Sequence, residues 1–154
     1  MDTACKKFKK ITCGKYNRAI LDEDGKLFFQ GRSKTYMFGS EFDGGPCLRG
    51  FVKIDEDFYP REDKTDKFID VALGKKHIVL VTEGGKVYGS GYVFYRRVRP
   101  EARKNEQNNE DYPFEISLPA GWKAIACFAM VDKGLTVFIN AEKNGQKKTF
   151  GFGE

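Results

Sequence analysis

Few residues in this chain combine the type and the spacing that chemistry demands. His77 is the single histidine, and a catalytic imidazole needs a nucleophile or a carboxylate beside it, which no neighbouring motif supplies. A structural histidine is expected, and a lone imidazole makes no histidine-built metal site. Asp22, Glu23 and Asp24 concentrate negative charge. Paired catalytic carboxylates must oppose one another across a substrate, however, and three neighbours followed by Gly25 are turn chemistry. Gly89-Ser90-Gly91 has the glycines of a phosphate loop but not the following Lys-Ser/Thr or the helix start that would aim amides at a phosphate. Cys5, Cys13, Cys47 and Cys127 form no CxxC pair and read as reduced, mostly buried thiols. This inventory assembles no nucleophile, base and oxyanion donor, so no catalytic residue, cofactor or metal is expected and the chain reads as a non-enzyme.

The stretch that looks most like a binding element is Tyr92, Phe94, Tyr95, Arg96, Arg97 and Arg99, followed by Arg103 and Lys104. Guanidinium planes interleaved with aromatic rings grip phosphates, acidic protein surfaces or nucleic acid. Glu101, Glu106, Glu110 and Asp111 partly neutralise the run, and a solvated loop is the competing reading. These six residues are the candidate partner-binding set.

The totals set bounds on everything else. At 154 residues the chain is long enough to bury one core without staples. Its 27 basic and 22 acidic residues give a net charge of +5. That suits an acidic partner but falls well short of a dedicated nucleic-acid binder, so nucleic acid is left open. No apolar run approaches a membrane span, and the opening MDTACKKFKK has no apolar signal core. An intracellular protein without membrane insertion is expected, cytoplasmic or nuclear, with a cytoskeletal assembly as one setting. Fourteen Phe, seven Tyr and seventeen Gly point to short strands and tight turns.

An internal repeat organises the chain. Residues 8–31 align without a gap on residues 68–91: Phe8 with Phe68, Ile11 with Val71, Gly14 with Gly74, Ile20 with Leu80, Gly25 with Gly85 and Gly31 with Gly91. A third, degenerate copy opens at Trp122, where a core role is expected, and closes with Gly145 and Gly151. Phe128 falls where the first copies have Gly14 and Gly74, and six additional residues are expected near 132–134 or 141–144. Each copy reads as a β-meander. Strands are predicted at 8–13, 19–21 and 26–30, again at 78–81 and 86–88, with half-buried edge strands at 51–54 and 114–118. The linkers 55–67 and 98–112 read as charged surface loops. The chain is therefore expected to be one domain of repeats, at about 8–54, 68–118 and 122–154.

Four short strands per repeat with a glycine closing the third is a propeller-blade signature. The segment Val71-Ala72-Leu73-Gly74-Lys75-Lys76-His77-Ile78, with the recurring six-residue step between Gly25 and Gly31, resembles the regulator-of-chromosome-condensation repeat. That resemblance implies an all-β fold, a partial β-propeller of about three four-stranded antiparallel blades. It also implies a structural role for His77 and for Gly14, Gly25, Gly31, Gly74, Gly85, Gly91, Gly145 and Gly151. Family rings have about seven blades, so three blades leave open edges for protein partners to complete or cover. The expected function is a non-catalytic protein-interaction scaffold within a larger assembly. The alternative is a regulatory module of the nucleotide-exchange type for a small GTPase, or a chromatin-docking module.

Overall fold

The computed structural model describes residues 7–31, 50–91, 113–131 and 136–153. Three antiparallel sheets hold all the described strands, and no helix occurs among the described residues. The first sheet runs β1 (Phe8–Cys13), β2 (Asn17–Asp22), β3 (Leu27–Gly31) and β4 (Val52–Lys53) in spatial order. The second repeats it with β5 (Phe68–Leu73), β6 (His77–Thr82), β7 (Val87–Gly91) and β8 (Phe114–Glu115). The third contains β9 (Lys123–Ala129), β10 (Val137–Lys143) and β11 (Gln146–Phe152), with β10 in the middle. The expected meanders are present, each strand beside its chain neighbour.

The sheets stack face to face, with β5 touching both β1 and β9. One core lies between the first and second sheets, where Ala19, Leu21, Leu27 and Phe29 meet Val71, Leu73, Ile78, Leu80 and Tyr88. A second lies between the second and third, where Ala72, Val79, Val81 and Val87 meet Ala124, Cys127, Val137 and Ile139. Because alternate residues of a strand point to opposite faces, the middle sheet must be apolar on both. β6, His-Ile-Val-Leu-Val-Thr, is accordingly buried along its whole length.

Strand pairing makes the first two sheets equivalent residue for residue. Ile11 opposes Ile20, which opposes Phe28, as Val71 opposes Leu80, which opposes Tyr88. Both first strands carry a bulge, between Phe8 and Lys10 and between Phe68 and Asp70. The hairpins also match. Gly25 N donates to Asp22 O at 3.1 Å and Gly85 N to Thr82 O at 3.0 Å, while Lys26 N meets the Asp22 carboxylate at 2.8 Å and Lys86 N the Thr82 hydroxyl at 3.1 Å. Gly25 and Gly85 sit at φ of 79° and 86°, where a side chain would be strained.

The third sheet corrects the sequence alignment. Cys127 opposes Ile139, which opposes Phe150, so Cys127 stands in the place of Val71 and Phe150 in that of Tyr88. Leu80 comes nine residues after Val71, but Ile139 comes twelve after Cys127. Tyr88 comes eight after Leu80, but Phe150 comes eleven after Ile139. The additional six residues are thus split, three before β10 and three in a hairpin lengthened to the Asn144-Gly145 turn. Gly153, at φ 109°, takes the place of Gly31 and Gly91, not Gly151. Met130, not Phe128, replaces Gly14 and Gly74. Its N–H donates to Thr136 O at 3.1 Å, as Gly14 does to Asn17 O and Gly74 to His77 O, both at 2.8 Å.

Two further expectations need correction. Trp122 is half-buried, edge-on to Phe150 at 5.4 Å, and lies outside both cores. The linker 55–67 is not simply a surface loop. Tyr59 is sealed in the first core, its hydroxyl 3.3 Å from Ser90 Oγ, and its ring meets Phe68 and Tyr88 edge-on. Arg61 is buried over the Phe68 ring and donates to Asp66 O at 2.6 Å. A charged segment reaches inside because an aromatic residue and the arginine stem carry apolar surface.

His77 lies fully buried with its ring against Gly74, where a Cβ would collide with Cε1. Replacing Gly74 with Ala is expected to cost about 1–3 kcal/mol, read as a lowered urea midpoint. Most of that loss should vanish in a His77→Ala background, where the collision is gone. Burial also lowers the His77 pKa to about 4. Between pH 6.5 and 4 the unfolded chain binds a proton that the folded chain refuses, so stability falls as pH falls through that window. Wild type should lose about 2 kcal/mol between pH 7 and 5 from this group, a slope missing in His77→Asn.

Candidate interaction surfaces

Asp70 sits at the β5 bulge with its carboxylate buried, and it ties three sheets together. Oδ1 accepts from Lys10 Nζ on β1 and from the Val71 N–H at 3.0 Å, while Oδ2 accepts from the Cys127 N–H on β9 at 2.8 Å. Lys10 is the counterpart of Asp70 in the first repeat, so one repeat position carries opposite charges in adjacent blades and pairs them. The bulge supplies the aim, because an extra residue rotates the side chain out of the regular alternation. Cys127 is buried beneath this bridge with its Sγ 3.6 Å from Val79 O. Burial, and secondarily the charge of Asp70, pushes its thiol well above the ordinary range. It is a packed, unreactive group.

The outer faces of the first and third sheets differ from the covered faces in a measurable way. Phe8 and Ile11 are 54% and 62% exposed, whereas their counterparts Phe68 and Val71 are 5% and 0% exposed. At the other end, Phe128 and Phe138 form a directly opposed cross-strand pair, 51% and 40% exposed. They stand where the second sheet has buried Ala72 and Val79. Met130 and Val131, next along the chain, are exposed as well. An open cleft of about 430 Å³, lined by Cys13, Lys15, Tyr16, Arg18 and Gln30, adjoins the first sheet.

The residues singled out in the sequence are scattered through this frame. Asp22, Glu23 and Asp24 are hairpin residues, with Asp22 buried at the end of β2. Gly89, Ser90 and Gly91 are buried within β7. Cys13 is exposed and Cys127 buried. Tyr92, Phe94, Tyr95, Arg96, Arg97 and Arg99, with Cys5 and Cys47, lie outside the described residues. Among the described residues no group of three or more metal-ligating side chains converges. Sequence reasoning overlooked Asp70, Lys10 and the Phe128–Phe138 pair. The sixty-residue alignment places Lys10 opposite Asp70, and that exchange of sign was the available signal.

Consecutive antiparallel meanders stacked face to face through shared cores define a segment of β-propeller. Its particular form is the fold of the regulator-of-chromosome-condensation repeat, shown by comparison with solved structures. Human WBSCR16 is 13% identical with a TM-score of 0.61, over 93% of this chain and 34% of its own. Prp20p from Saccharomyces cerevisiae, described with its binding to Gsp1p and histones, is 18% identical with a TM-score of 0.60, over 99% and 32%. Yeast RCC1 (Prp20) bound to Kap60 is 20% identical with a TM-score of 0.60, over 97% and 31%. The chain therefore spans about a third of the length of each. No family model and no curated protein sequence matches it.

The Asp70 bridge gives a direct test. Asp70→Ala leaves the Cys127 N–H without its acceptor and Lys10 without its anion, an expected loss of about 2–4 kcal/mol in chemical denaturation. Asp70→Asn keeps an acceptor for the amide and should lose about half as much. Equal losses from the two variants would show that the bridge to β9 contributes nothing.

Proposed function

We propose that this chain is a non-catalytic protein-interaction scaffold, one unit of repeats over 1–154 that packs within a larger assembly through the outer faces of its end sheets. The supporting observation is the exposure contrast at equivalent positions. Phe8 and Ile11 are open where Phe68 and Val71 are closed, and the Phe128–Phe138 pair stands uncovered. Covering a half-exposed aromatic side chain contributes roughly 1 kcal/mol, so two such faces supply real association energy. Protein partners that complete or cover the propeller ends fit these surfaces. The basic run at Arg96, Arg97 and Arg99 adds affinity for an acidic surface and an ionic-strength dependence. An intracellular setting accords with this reading, and no helix of the described residues is long and apolar enough to cross a membrane.

A second reading is favoured by one observation, the likeness to Prp20p, which is described with Gsp1p and histones. A module acting on a small GTPase would stimulate release of labelled GDP from a GTPase panel, which a scaffold does not do.

The scaffold reading is checked by affinity capture with mass spectrometry and by sedimentation. The double variants Phe8→Ser with Ile11→Ser and Phe128→Ser with Phe138→Ser should keep the thermal midpoint within a few degrees yet shed partners held by wild type. Replacing Arg96, Arg97 and Arg99 with Ala should weaken the complex most at low salt. A monodisperse wild-type monomer whose captured proteins are unchanged by the face variants would overturn the reading.

A further inference from the structure

Two grooves on the hairpin side of the blades have equivalent walls and different contents. The first is walled by Gly25, Lys26, Leu27 and Ile54, with Phe68 opposite. It is closed to about 10 Å³ because Tyr59 and Arg61 occupy it, both buried. The Arg61 guanidinium lies 4.5 Å over the Phe68 ring and donates to Asp66 O at 2.6 Å and to Glu56 O at 3.3 Å. The second groove is walled by Gly85, Lys86, Val87 and Ile116 and stands open as a cleft of about 340 Å³. Pairing makes the two walls equivalent, since Ile54 N–H donates to Leu27 O and Ile116 N–H to Val87 O, both at 2.8 Å.

The difference is a shorter link inside the chain. Residues 55–66 run from Ile54 to Lys67 along the first groove, whereas residues 117–122, six fewer, run from Ile116 to Lys123 along the second. Lys67 and Lys123 are matched, because each packs against its hairpin glycine, Gly25 or Gly85. The short link, Ser117-Leu118-Pro119-Ala120-Gly121-Trp122, contains no cation, and its one aromatic ring is turned edge-on to Phe150. The cleft is walled entirely by residues 84–123, all of them described on this side of the blades, so the link itself makes the opening. The carbonyls that hold Arg61 have positional equivalents in Leu118, two residues after Ile116, and in Trp122, directly before Lys123.

The outer strand also reverses its charge between the grooves. Lys53 stands opposite Phe28 in the first sheet, where the groove holds its own cation. Glu115 stands opposite Tyr88 in the second and lines the open cleft, its carboxylate 40% exposed and 3.8 Å from Lys86 Nζ. Lys86 and Lys123 have counterparts in Lys26 and Lys67 beside the filled groove, so cations at those places are compatible with a guanidinium between them.

We propose that the cleft between the second and third blades is a docking pocket for an arginine side chain of a partner protein. The guanidinium takes the place of Arg61, donating to the Leu118 and Trp122 carbonyls and pairing with the Glu115 carboxylate. Ala124 stands where the first groove has Phe68, and Trp122, which lines the cleft, supplies the ring face instead. A planar fork of donors suits several separate acceptors, which the single ammonium of a lysine does not match. The pocket lies between blades and not on the end faces, so the proposal succeeds or fails independently of the scaffold reading.

The test uses the whole chain and a capped Tyr-Pro-Arg peptide, copying residues 59–61, with the citrulline peptide as its uncharged control. Trp122 is the single tryptophan, so its emission reports occupancy, and amide NMR locates the site. The arginine peptide should shift Trp122 emission and the amides of Gly85, Leu118 and Lys123, and the citrulline peptide should bind more weakly. Glu115→Gln, isosteric at a part-exposed position, should lower affinity for the arginine peptide about fivefold and leave the citrulline peptide unaffected. Ser117→Phe, which fills the cleft, should abolish binding; if that variant folds poorly, the Glu115→Gln comparison decides. Unchanged Trp122 emission, equal wild-type affinity for the two peptides, or amide shifts confined to residues outside the cleft would overturn the proposal.

Discussion

The arrangement depends on a single buried carboxylate. Asp70 is removed from water at the bulge of β5, and a charge in that position survives only when its lone pairs are filled. Lys10 fills one side, the Val71 and Cys127 N–H groups fill the rest, and each donor comes from a different place in the chain. Satisfying the charge thereby fixes β5 between β1 and β9. With β5 held there, the apolar faces on either side of β5 and β6 close against the first and third sheets. Two cores result, with the second sheet as their common wall.

Close approach of backbone to backbone then sets how tightly neighbouring blades pack. A Cβ on Gly14 would come within 2.6 Å of the Gly74 carbonyl oxygen, so equivalent turns of adjacent repeats touch directly. Gly74 in turn makes room for the His77 ring, and Gly91 lies against the His77 backbone. The first sheet repeats the arrangement with Asn17 beside Gly31. An imidazole kept neutral by burial is a filler of defined shape, so the His77 ring and the bare backbone of Gly74 constrain each other.

The strands, the meander order and the equivalence of the first two repeats were legible in the sequence because glycines and apolar residues keep an interval of sixty. Residue types at 8–31 and 68–91 carry the pairing register almost without change. The third repeat was misaligned by two residues at Trp122 and again at Gly151. Glycine spacing cannot distinguish a lengthened hairpin from a longer loop, and the extra residues proved to be shared between them. Tyr59 and Arg61 were hidden by the charged residues around them. The Asp70 bridge was missed for a different reason: single charges at a bulge leave no periodic trace, and only the alignment of Lys10 with Asp70 betrays them. The exposed faces were illegible because Phe8 and Phe68 are the same residue in the same pattern, and only the neighbouring blade decides which is covered.

The two ends of the segment are not equivalent, and this bears on what each can hold. The outer face of the first sheet keeps the Phe and Ile of an ordinary stacking surface, simply uncovered. The outer face of the third sheet has lost the small residues that let blades approach. Phe128 and Phe138 replace what would be Thr12 or Ala72 and Ala19 or Val79, Met130 replaces the turn glycine, and Ala126 stands where Lys10 and Asp70 carry their charges. The third sheet thus carries no charge at the position where Lys10 and Asp70 pair, and its outer face bears two aromatic rings. A half-exposed aromatic pair in place of the buried Ala72 and Val79 therefore gives the third sheet an outer face of different shape from that of the second.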